Sequence, residues 1–311
     1  PSNPFSGVFL RDANGVPILK SGRPAINALP NTVGGTGPYD LTPLDAQKSW
    51  QKFTPTVSLT YKPTRDLSVY LRYATGFKSG GYNDVAASNA SFLTPFNPEN
   101  LKSYEVGAKG ALFNNRLNFS AAYYHSTYTD FQAGVFVPSL ITTNVINAGK
   151  AAFDGWELEG SARPIDPLTI TFGYGHINAR YKKFVLPNGT NVTNTYKVPL
   201  VPRENWQLGG ELRLPIGGFN LVPSVNYSWR SGQWSEITGD PLVYRKAYGL
   251  LDARIALSDI QLGRGASLEV AVWGKDLSDT HYWTSAINLG LFTVRQWGDP
   301  RTFGGDLRLK F

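Results

Sequence analysis

Apolar and polar residues alternate with a period of two along most of this chain. In residues 53–61, for example, Phe53, Val57 and Leu59 fall on one face, while serine and threonine occupy the other. A β-strand with one apolar face produces this period, and helical spacing does not. The alternation therefore predicts an all-β chain.

The same pattern recurs in about eleven segments of roughly ten residues, the length that a tilted strand needs to cross a bilayer. No run approaches the ~18 apolar residues of a membrane helix. The segments are 53–61, 67–74, 104–112, 117–123, 156–163, 168–174, 206–214, 219–229, 251–258, 267–273 and 303–311. Aromatic residues near their ends match the interfacial girdles of membrane barrels: Tyr61, Tyr73, Tyr104, Trp156, Tyr227, Trp229 and Phe311. We therefore expect an antiparallel transmembrane β-barrel with charged residues lining a wet lumen. The alternative is a soluble β-sandwich.

The links between these segments alternate in length. Short, turn-forming links fall at 63–66, 114–116, 164–167, 215–218 and 259–265. Long links rich in Gly, Asn, Ser, Thr and Pro fall at 78–100, 131–150, 183–202, 231–246 and 280–299. Short periplasmic turns and long extracellular loops are typical of bacterial outer-membrane barrels. Residues 1–49 then form an outer loop, in which Asn14-Gly15 predicts a small hairpin over residues 9–18.

Composition excludes several other classes. The chain has no Cys, which rules out disulfides and thiolate chemistry within it, and it has no Met. Because an initiator and a signal peptide are both missing, we expect a part of a longer precursor. The net charge of +7 comes from scattered Lys and Arg rather than a basic arm, so we expect no nucleic-acid partner.

Five segments, in order, resemble the TonB-dependent receptors of Gram-negative outer membranes. They are FTPTVSLTYKPTRDLSVYLRYATGFKSGGYN (53–83), NPENLKSYEVGAKGALFNNRLNFSAAYYHSTYTDFQ (97–132), NAGKAAFDGWELEG (147–160), GKDLSDTHYW (274–283) and PRTFGGDLRLKF (300–311). In the fourth, Asp276 stands where the family usually has Asn. The resemblance implies that residues 50–311 are the C-terminal half of a barrel of roughly 22 strands. The N-terminal plug and the TonB box of the family are not among these residues.

That resemblance implies active uptake of a scarce nutrient, with a ferric siderophore as the first expectation. Its partners would be outer-membrane lipid and lipopolysaccharide, the TonB complex through the N-terminal part, the barrel-assembly machinery that reads Phe311, and the small-molecule cargo. A passive porin or adhesin barrel is the alternative within membrane proteins. A carbohydrate-binding sandwich is the alternative among soluble ones.

No catalytic, cofactor or metal site is predicted. The three histidines, His125, His176 and His281, have no His or carboxylate at metal-ligand spacing along the chain. Asp130, Asp279 and His281 fall where outer-membrane enzymes place catalytic groups, but loop polarity explains them more simply. We therefore do not expect an enzyme.

Ligand contacts are predicted for aromatic and basic residues at the upper strand ends and in the loops, because rings and guanidinium groups suit an anionic chelate. These candidates are Phe77, Tyr82, Phe131, Trp234, Tyr244, Arg245, Tyr282, Trp283, Arg295 and Trp297. Charged residues on the polar face are predicted to pair with each other or to dock a plug. They are Arg72, Glu105, Lys109, Glu157, Glu159, Glu211, Arg213, Asp252 and Arg254.

Overall fold

The computed structural model describes residues 19–20, 23–24, 46–84, 89–137, 142–263 and 265–311. The chain divides into two compact units, residues 1–47 with 86–94 and residues 48–85 with 95–311. In the first unit the described elements are two short paired strands, Leu19–Lys20 and Arg23–Pro24, and a helix, Asn89–Leu93. The hairpin predicted over residues 9–18 lies outside the described residues, as does most of the predicted loop 1–49.

The second unit is built on one antiparallel sheet of twelve strands. Eleven form its main path, each paired with the next strand of that path, and the twelfth, Leu214–Ile216, pairs with Phe219–Arg230. This confirms the predicted all-β architecture and its strand number. The strands are β1 (Thr56–Tyr61), β2 (Leu67–Lys78), β3 (Glu99–Leu112), β4 (Leu117–Thr129), β5 (Lys150–Ile165), β6 (Leu168–Lys183), β7 (Glu204–Leu212), β8 (Phe219–Arg230), β9 (Tyr248–Gly263), β10 (Ala266–Lys275) and β11 (Thr302–Lys310). Among the described residues, β1 and β11 each pair along one edge only, so the sheet does not close.

The register separates an apolar face from a polar face across the sheet. Leu59 pairs with Leu71 and Leu71 with Val106, and these side chains are 69%, 56% and 41% exposed. On the other face Arg72 pairs with Glu105. A soluble sandwich would cover the apolar face with a second sheet. Among the described residues this face is open, as expected for a surface that faces lipid.

Aromatic rings mark the upper edge of the apolar belt. The rings of Trp156 and Tyr174 stack with their centroids 4.5 Å apart, and those of Trp206 and Tyr227 lie 5.2 Å apart. Above Tyr174, the same face of β6 carries polar residues up to Arg180. The rings therefore lie where the surface changes from apolar to polar, which is the position of an interfacial girdle.

Most strands of the sheet are longer than the predicted length of about ten residues. Strands β5, β6 and β9 each have 16 residues. At ~3.3 Å per residue and a tilt of about 40°, roughly ten residues cross an apolar band of ~25 Å. The remaining residues project beyond the band. Above the band the apolar residues change face. On β6, Ile177, Ala179 and Tyr181 lie on the face opposite that of Phe172 and Tyr174, which interrupts the alternation from which the strand was predicted.

Some predicted turns were also too long. The link predicted at 259–265 is mostly strand, because β9 continues to Gly263. Asp259, with φ 60°, makes a bulge in that strand where the pairing register shifts. The links at 164–167 and 215–218 shorten to two-residue turns at 166–167 and 217–218. At the other end of the sheet, Phe53 lies before β1, which starts at Thr56.

Several of the long links contain strands of their own. Gln132–Val137 pairs with Thr142–Asn147, Gln233–Trp234 with Tyr244–Arg245, and Trp283–Asn288 with Thr293–Trp297. We call these the 132–147, 233–245 and 283–297 hairpins. Their strands have two to six residues, too few for a period of apolar alternation to be recognised in the sequence.

The outer links pack against one another around a small apolar core. Phe184 is fully buried, and Ala148 and Ile237 are buried with it. Backbone hydrogen bonds join the 183–202 link to the 233–245 hairpin, from Lys197 N to Ile237 O (2.8 Å) and from Leu200 N to Trp234 O (2.8 Å). The loop residues that present side chains at this rim are therefore held in place.

The ring of Tyr70 packs closely on Gly107 of the neighbouring strand, so a larger residue at position 107 should lower the stability of the sheet. A Cβ at Gly107 would lie 2.4 Å from Cζ of Tyr70, whose hydroxyl donates to Glu105 (2.6 Å). We expect Gly107→Ala to lower the free energy of unfolding by about 1–3 kcal/mol through overpacking. Heat-modified electrophoretic mobility measures this. Gly210→Ala is the matched control, because its nearest neighbour, Val225 Cγ1, would lie 3.9 Å away. Equal stability of the two variants would contradict the prediction.

Candidate functional site

The polar face of the sheet carries two groups of paired charges. In the first, Arg72 lies 3.9 Å from Glu105, which also accepts the Tyr70 hydroxyl. In the second, Arg254 Nη2 lies 2.8 Å from Glu269 Oε1. These groups fasten neighbouring strands to each other on the side that faces the lumen of a barrel.

Other charges of the predicted lumen set have different surroundings. Arg213 Nη2 lies 2.5 Å from Asp259 at the lower rim, and Asp252 accepts the backbone N–H of Asp276 (2.9 Å). Within the described part of the chain, four members of the set have neither an ion-pair partner nor a side-chain hydrogen bond: Lys109, Glu157, Glu159 and Glu211. These four charged side chains could therefore form ion pairs with another segment of the receptor.

A pocket of about 400 Å³ lies on the same face, across strands β5 to β9. Its lining includes Glu157 and Glu159 toward one side and Arg230 and Tyr248 toward the other. Arg230 and Tyr248 are cross-strand partners where β8 ends and β9 begins. The pocket therefore reaches the outer end of the wall, where the loops begin.

Arg245 lies beside this outer end and is buried, with 3% of its surface exposed. Its guanidinium carbon lies 5.0 Å from the centre of the Tyr248 ring, and Tyr248 stacks on Tyr282 with centroids 4.3 Å apart and planes at 14°. Nε and Nη2 of Arg245 are buried without a hydrogen-bond partner among the described residues. Burial lowers the pKa of Arg245, and the nearby Arg230 lowers it further. Burial also raises the pKa of Tyr282.

The 283–297 hairpin brings three more of the predicted ligand residues together. Trp283 pairs with Trp297, and the guanidinium of Arg295 lies 5.6 Å from the Trp283 ring centre. Arg295 Nη2 also donates to the carbonyl of Leu242 (3.0 Å), which ties the hairpin to the neighbouring loop. Trp297 remains 61% exposed.

Two carboxylates hold the far end of this hairpin. Asn288 donates its backbone N–H to Glu236 (2.6 Å) and its side-chain amide to Asp240 (2.5 Å). Burial raises the pKa of Glu236, and the charge of Asp240 adds to that rise. The hairpin is therefore fixed by hydrogen bonds and not by an apolar core.

The other predicted ligand residues are separated from the Arg245 group. Trp234 and Tyr244 pack on each other at 4.6 Å in the 233–245 hairpin. Phe131 packs against Tyr181 (5.9 Å) in the apolar core of the loops. Phe77 pairs with Asn100 at the top of β2, and Tyr82 follows in the link beyond it. Structural packing accounts for Phe131, whereas the ring of Trp234 stays partly exposed.

The histidines have cross-strand partners that sequence spacing did not reveal. His125 contacts Asp154, which also lies 2.5 Å from Arg180, and all three lie above the apolar belt. His176 lies 3.6 Å from Glu204. Among the described residues, no group of three or more His, Asp or Glu side chains could hold a metal ion.

The rim residues considered for catalysis have structural contacts. Asp279 lies 3.2 Å from Arg301, and its backbone carbonyl lies 3.1 Å from His281 Nδ1. Asp130 has a φ of 54°, and its backbone carbonyl accepts a hydrogen bond from the side-chain amide of Asn147 (2.9 Å). These contacts hold turns and do not orient a nucleophile and a base.

Three contributors to this region were missed from the sequence: Arg230, Tyr248 and Asp276. Strand alternation places Arg230 and Tyr248 on the polar face, and that signal could have found them. Asp276 was singled out only as a departure from the family motif. Its carboxylate accepts the N–H of Thr280 (2.9 Å) and the hydroxyl of Ser278 (3.0 Å), and its φ is 47°. It thereby shapes the turn that leads to Tyr282.

This meandering antiparallel sheet, with an exposed apolar face, ring girdle and charged inner face, defines the class of transmembrane β-barrel walls. Comparison with known families then identifies the chain: it belongs to the TonB dependent receptor-like β-barrel family, which it matches over residues 29–290. None of the helices in the described part of the chain is long and apolar enough to span a membrane.

Named relatives and solved structures agree with this assignment. The chain is 25% identical over 273 residues to a metal-pseudopaline receptor of Pseudomonas aeruginosa, covering 86% of this chain and 34% of that protein. It is 26% identical to the ferric-pyoverdine M114 receptor of a Pseudomonas species, covering 83% of this chain and 29% of that protein. The ferric yersiniabactin uptake receptor of Yersinia pestis has a similar fold, with a TM-score of 0.66 and 24% identity over 82% of this chain and 37% of that one. The chain thus spans about a third of the length of the curated relatives it matches.

Two substitutions at Asp276 test whether the turn depends on the hydrogen bonds and backbone conformation of this residue or on its negative charge. Asp276→Ala removes the acceptor and places Ala at a positive φ, so we expect a local loss of about 2 kcal/mol. Asp276→Asn keeps one acceptor oxygen and tolerates this φ, and we expect it to behave like the native chain. Amide hydrogen exchange at residues 277–282 measures the loss. An Asn variant that exchanges as fast as the Ala variant would refute this account of the turn.

Proposed function

We propose that the complete receptor containing these residues is an outer-membrane, TonB-dependent uptake receptor of a Gram-negative bacterium, with a ferric siderophore as its cargo. The family membership and relatives named for metal and ferric chelates support this proposal. The observation that carries it is the group at the outer end of the wall, where the buried Arg245 lies beside the stacked rings of Tyr248 and Tyr282. Such rings offer flat apolar contact, and an unpaired cation suits an anionic chelate.

The same proposal gives roles to the other predicted residues. Trp234, Tyr244, Trp283, Arg295 and Trp297 belong to the rim that a chelate meets first. The unpaired Lys109, Glu157, Glu159 and Glu211 face a plug supplied by another part of the receptor. Phe311 carries the signal for barrel assembly, and outer-membrane lipid and lipopolysaccharide surround the apolar belt. The receptor transports its cargo unchanged and is not an enzyme.

Energy-dependent iron uptake tests the proposal against a passive porin. The complete receptor is expressed in a strain that lacks its own siderophore receptors, and uptake of iron chelates is measured with and without an energised inner membrane. We expect saturable uptake that stops when the TonB complex is removed. Uptake that persists without TonB and rises linearly with concentration would instead identify a passive pore.

The unpaired carboxylates of the wall give a separate prediction. In the complete receptor we expect the double variant Glu157→Gln and Glu159→Gln to weaken plug docking and leave chelate affinity within about twofold, because both carboxylates lie within strand β5, seven and nine residues from its outer end at Lys150. Channel conductance during a urea titration reports plug release, and we expect it at a lower urea concentration. Asp166→Asn is the control, since this side chain is 89% exposed at the opposite end of the sheet. A double variant that opens at the same urea concentration as this control would rule out the docking role.

A further inference from the structure

Arg245 is the least satisfied charged side chain at the outer end of the wall. Two of its guanidinium nitrogens are buried without an acceptor among the described residues, and 3% of the residue is exposed. Removing a cation from water without a partner is costly, so such groups are usually paired in folded proteins. Among the described residues this one is unpaired, and it lies against Tyr248, which lines the wall pocket.

Among the described residues, no carboxylate pairs with Arg245. Tyr248 offers the face of its ring, and Tyr282 lies against that ring. Arg230, another cation, acts on Arg245 and lowers its pKa; it is the cross-strand partner of Tyr248 at the end of β8 and lines the wall pocket. Neither arginine has an ion-pair partner within the described part of the chain. Two cations and two phenol rings form a site that favours an anion.

The guanidinium is held in place and is not a mobile surface group. Arg245 pairs with Gln233 in the 233–245 hairpin, whose neighbouring Val243 is fully buried. Ser235 N donates to Val243 O (3.1 Å), and Trp234 O accepts from Leu200 N (2.8 Å), which joins the hairpin to the packed loops. A cation fixed in advance loses little entropy when it binds an anion.

Access to the buried nitrogens requires a side-chain movement, and the Tyr248–Tyr282 stack is placed to provide it. Tyr282 is half-buried and lies just before the 283–297 hairpin. That hairpin is fixed by the hydrogen bonds of Asn288 and Arg295 and has an exposed tip, with Leu291 96% exposed. The ring of Tyr248 lies over the guanidinium and Tyr282 is stacked on that ring, so an anion would reach the buried nitrogens when this stack moves.

We propose that Arg245, supported by Arg230 and walled by Tyr248 and Tyr282, is a subsite for a free carboxylate group of the bound chelate. The planar guanidinium matches a carboxylate with two parallel hydrogen bonds, whereas the oxygens of hydroxamates and catecholates are occupied by the metal. The inference rests on the proposed function, because it assigns one contact within chelate binding. It predicts that the receptor prefers carboxylate-bearing chelates.

Binding of three ferric chelates to the purified complete receptor tests the subsite. The probes are ferric citrate, which has free carboxylates, ferric desferrioxamine, a trihydroxamate, and a ferric tris-catecholate, each followed by quenching of Trp fluorescence. We expect the native receptor to bind ferric citrate most tightly. We expect Arg245→Gln to weaken ferric citrate binding about tenfold to a hundredfold and the other two less than about threefold.

Two further variants keep the result interpretable. Arg245→Lys retains the charge and loses the planar fork, so its affinity for ferric citrate should fall between those of the native and Gln receptors. Arg116→Gln is the control, because Arg116 pairs with Asp166 at the opposite end of the sheet. Heat-modified electrophoretic mobility confirms that each variant folds.

The possible outcomes separate the subsite from the transport function. An equal loss for all three chelates, or no preference for ferric citrate in the native receptor, overturns the subsite and leaves the transport function intact. If Arg245→Gln lowers the melting temperature of the chelate-free receptor and changes no affinity, the carboxylate comes from another part of the receptor, which also overturns it. Failure of the native receptor to bind any of the three chelates overturns both.

Discussion

Hydrogen bonding between neighbouring strands is the constraint on which the rest of this structure depends. In hydrocarbon, every unpaired backbone N–H or C=O costs several kcal/mol, so a strand crosses lipid only when both of its edges are paired. Ladders such as that of β3 with β4, unbroken from Asn100 to Leu112, meet this requirement. They also fix the register, and the register places Leu71 and Val106 on one face and Glu105 on the other.

Above the belt the constraint changes, because water can satisfy backbone groups that lipid cannot. The strands continue, yet the outward face now carries the ion pair of Asp154 with Arg180. Here stability comes from packing between the links, with Phe184 fully buried in their core. A rim built this way can hold some side chains rigidly, such as Arg245, while leaving the 283–297 hairpin tied only by hydrogen bonds. Recognition and movement can therefore occupy neighbouring segments.

Sequence reasoning succeeded where one local pattern repeats and failed where distant residues meet. The exposure of Leu59 and Leu71 follows from alternation alone, and so do the number of strands and their faces. The upper parts of the strands, such as that of β6 near Arg180, were missed because the apolar residues change face there, with Ile177 and Tyr181 opposite the face of Tyr174. The contact of Tyr248 with Tyr282 joins segments separated by two strands and a turn, and it cannot be predicted from the spacing of residues along the chain.

The position of the unpaired Arg245 depends on the same difference between the membrane belt and the rim in the cost of an unpaired polar group. In the membrane belt an unpaired guanidinium would be excluded, and an apolar residue of similar size would stabilise a purely structural position. At the rim, the cost is reduced by the Tyr248 ring and can be offset whenever an anion binds. Neutral side chains would make the hairpin more stable and remove the charge that an anionic group needs. The chain keeps the less stable arrangement beside Tyr248, which lines the wall pocket at the outer end of the sheet, so a group bound in that pocket lies next to the charge.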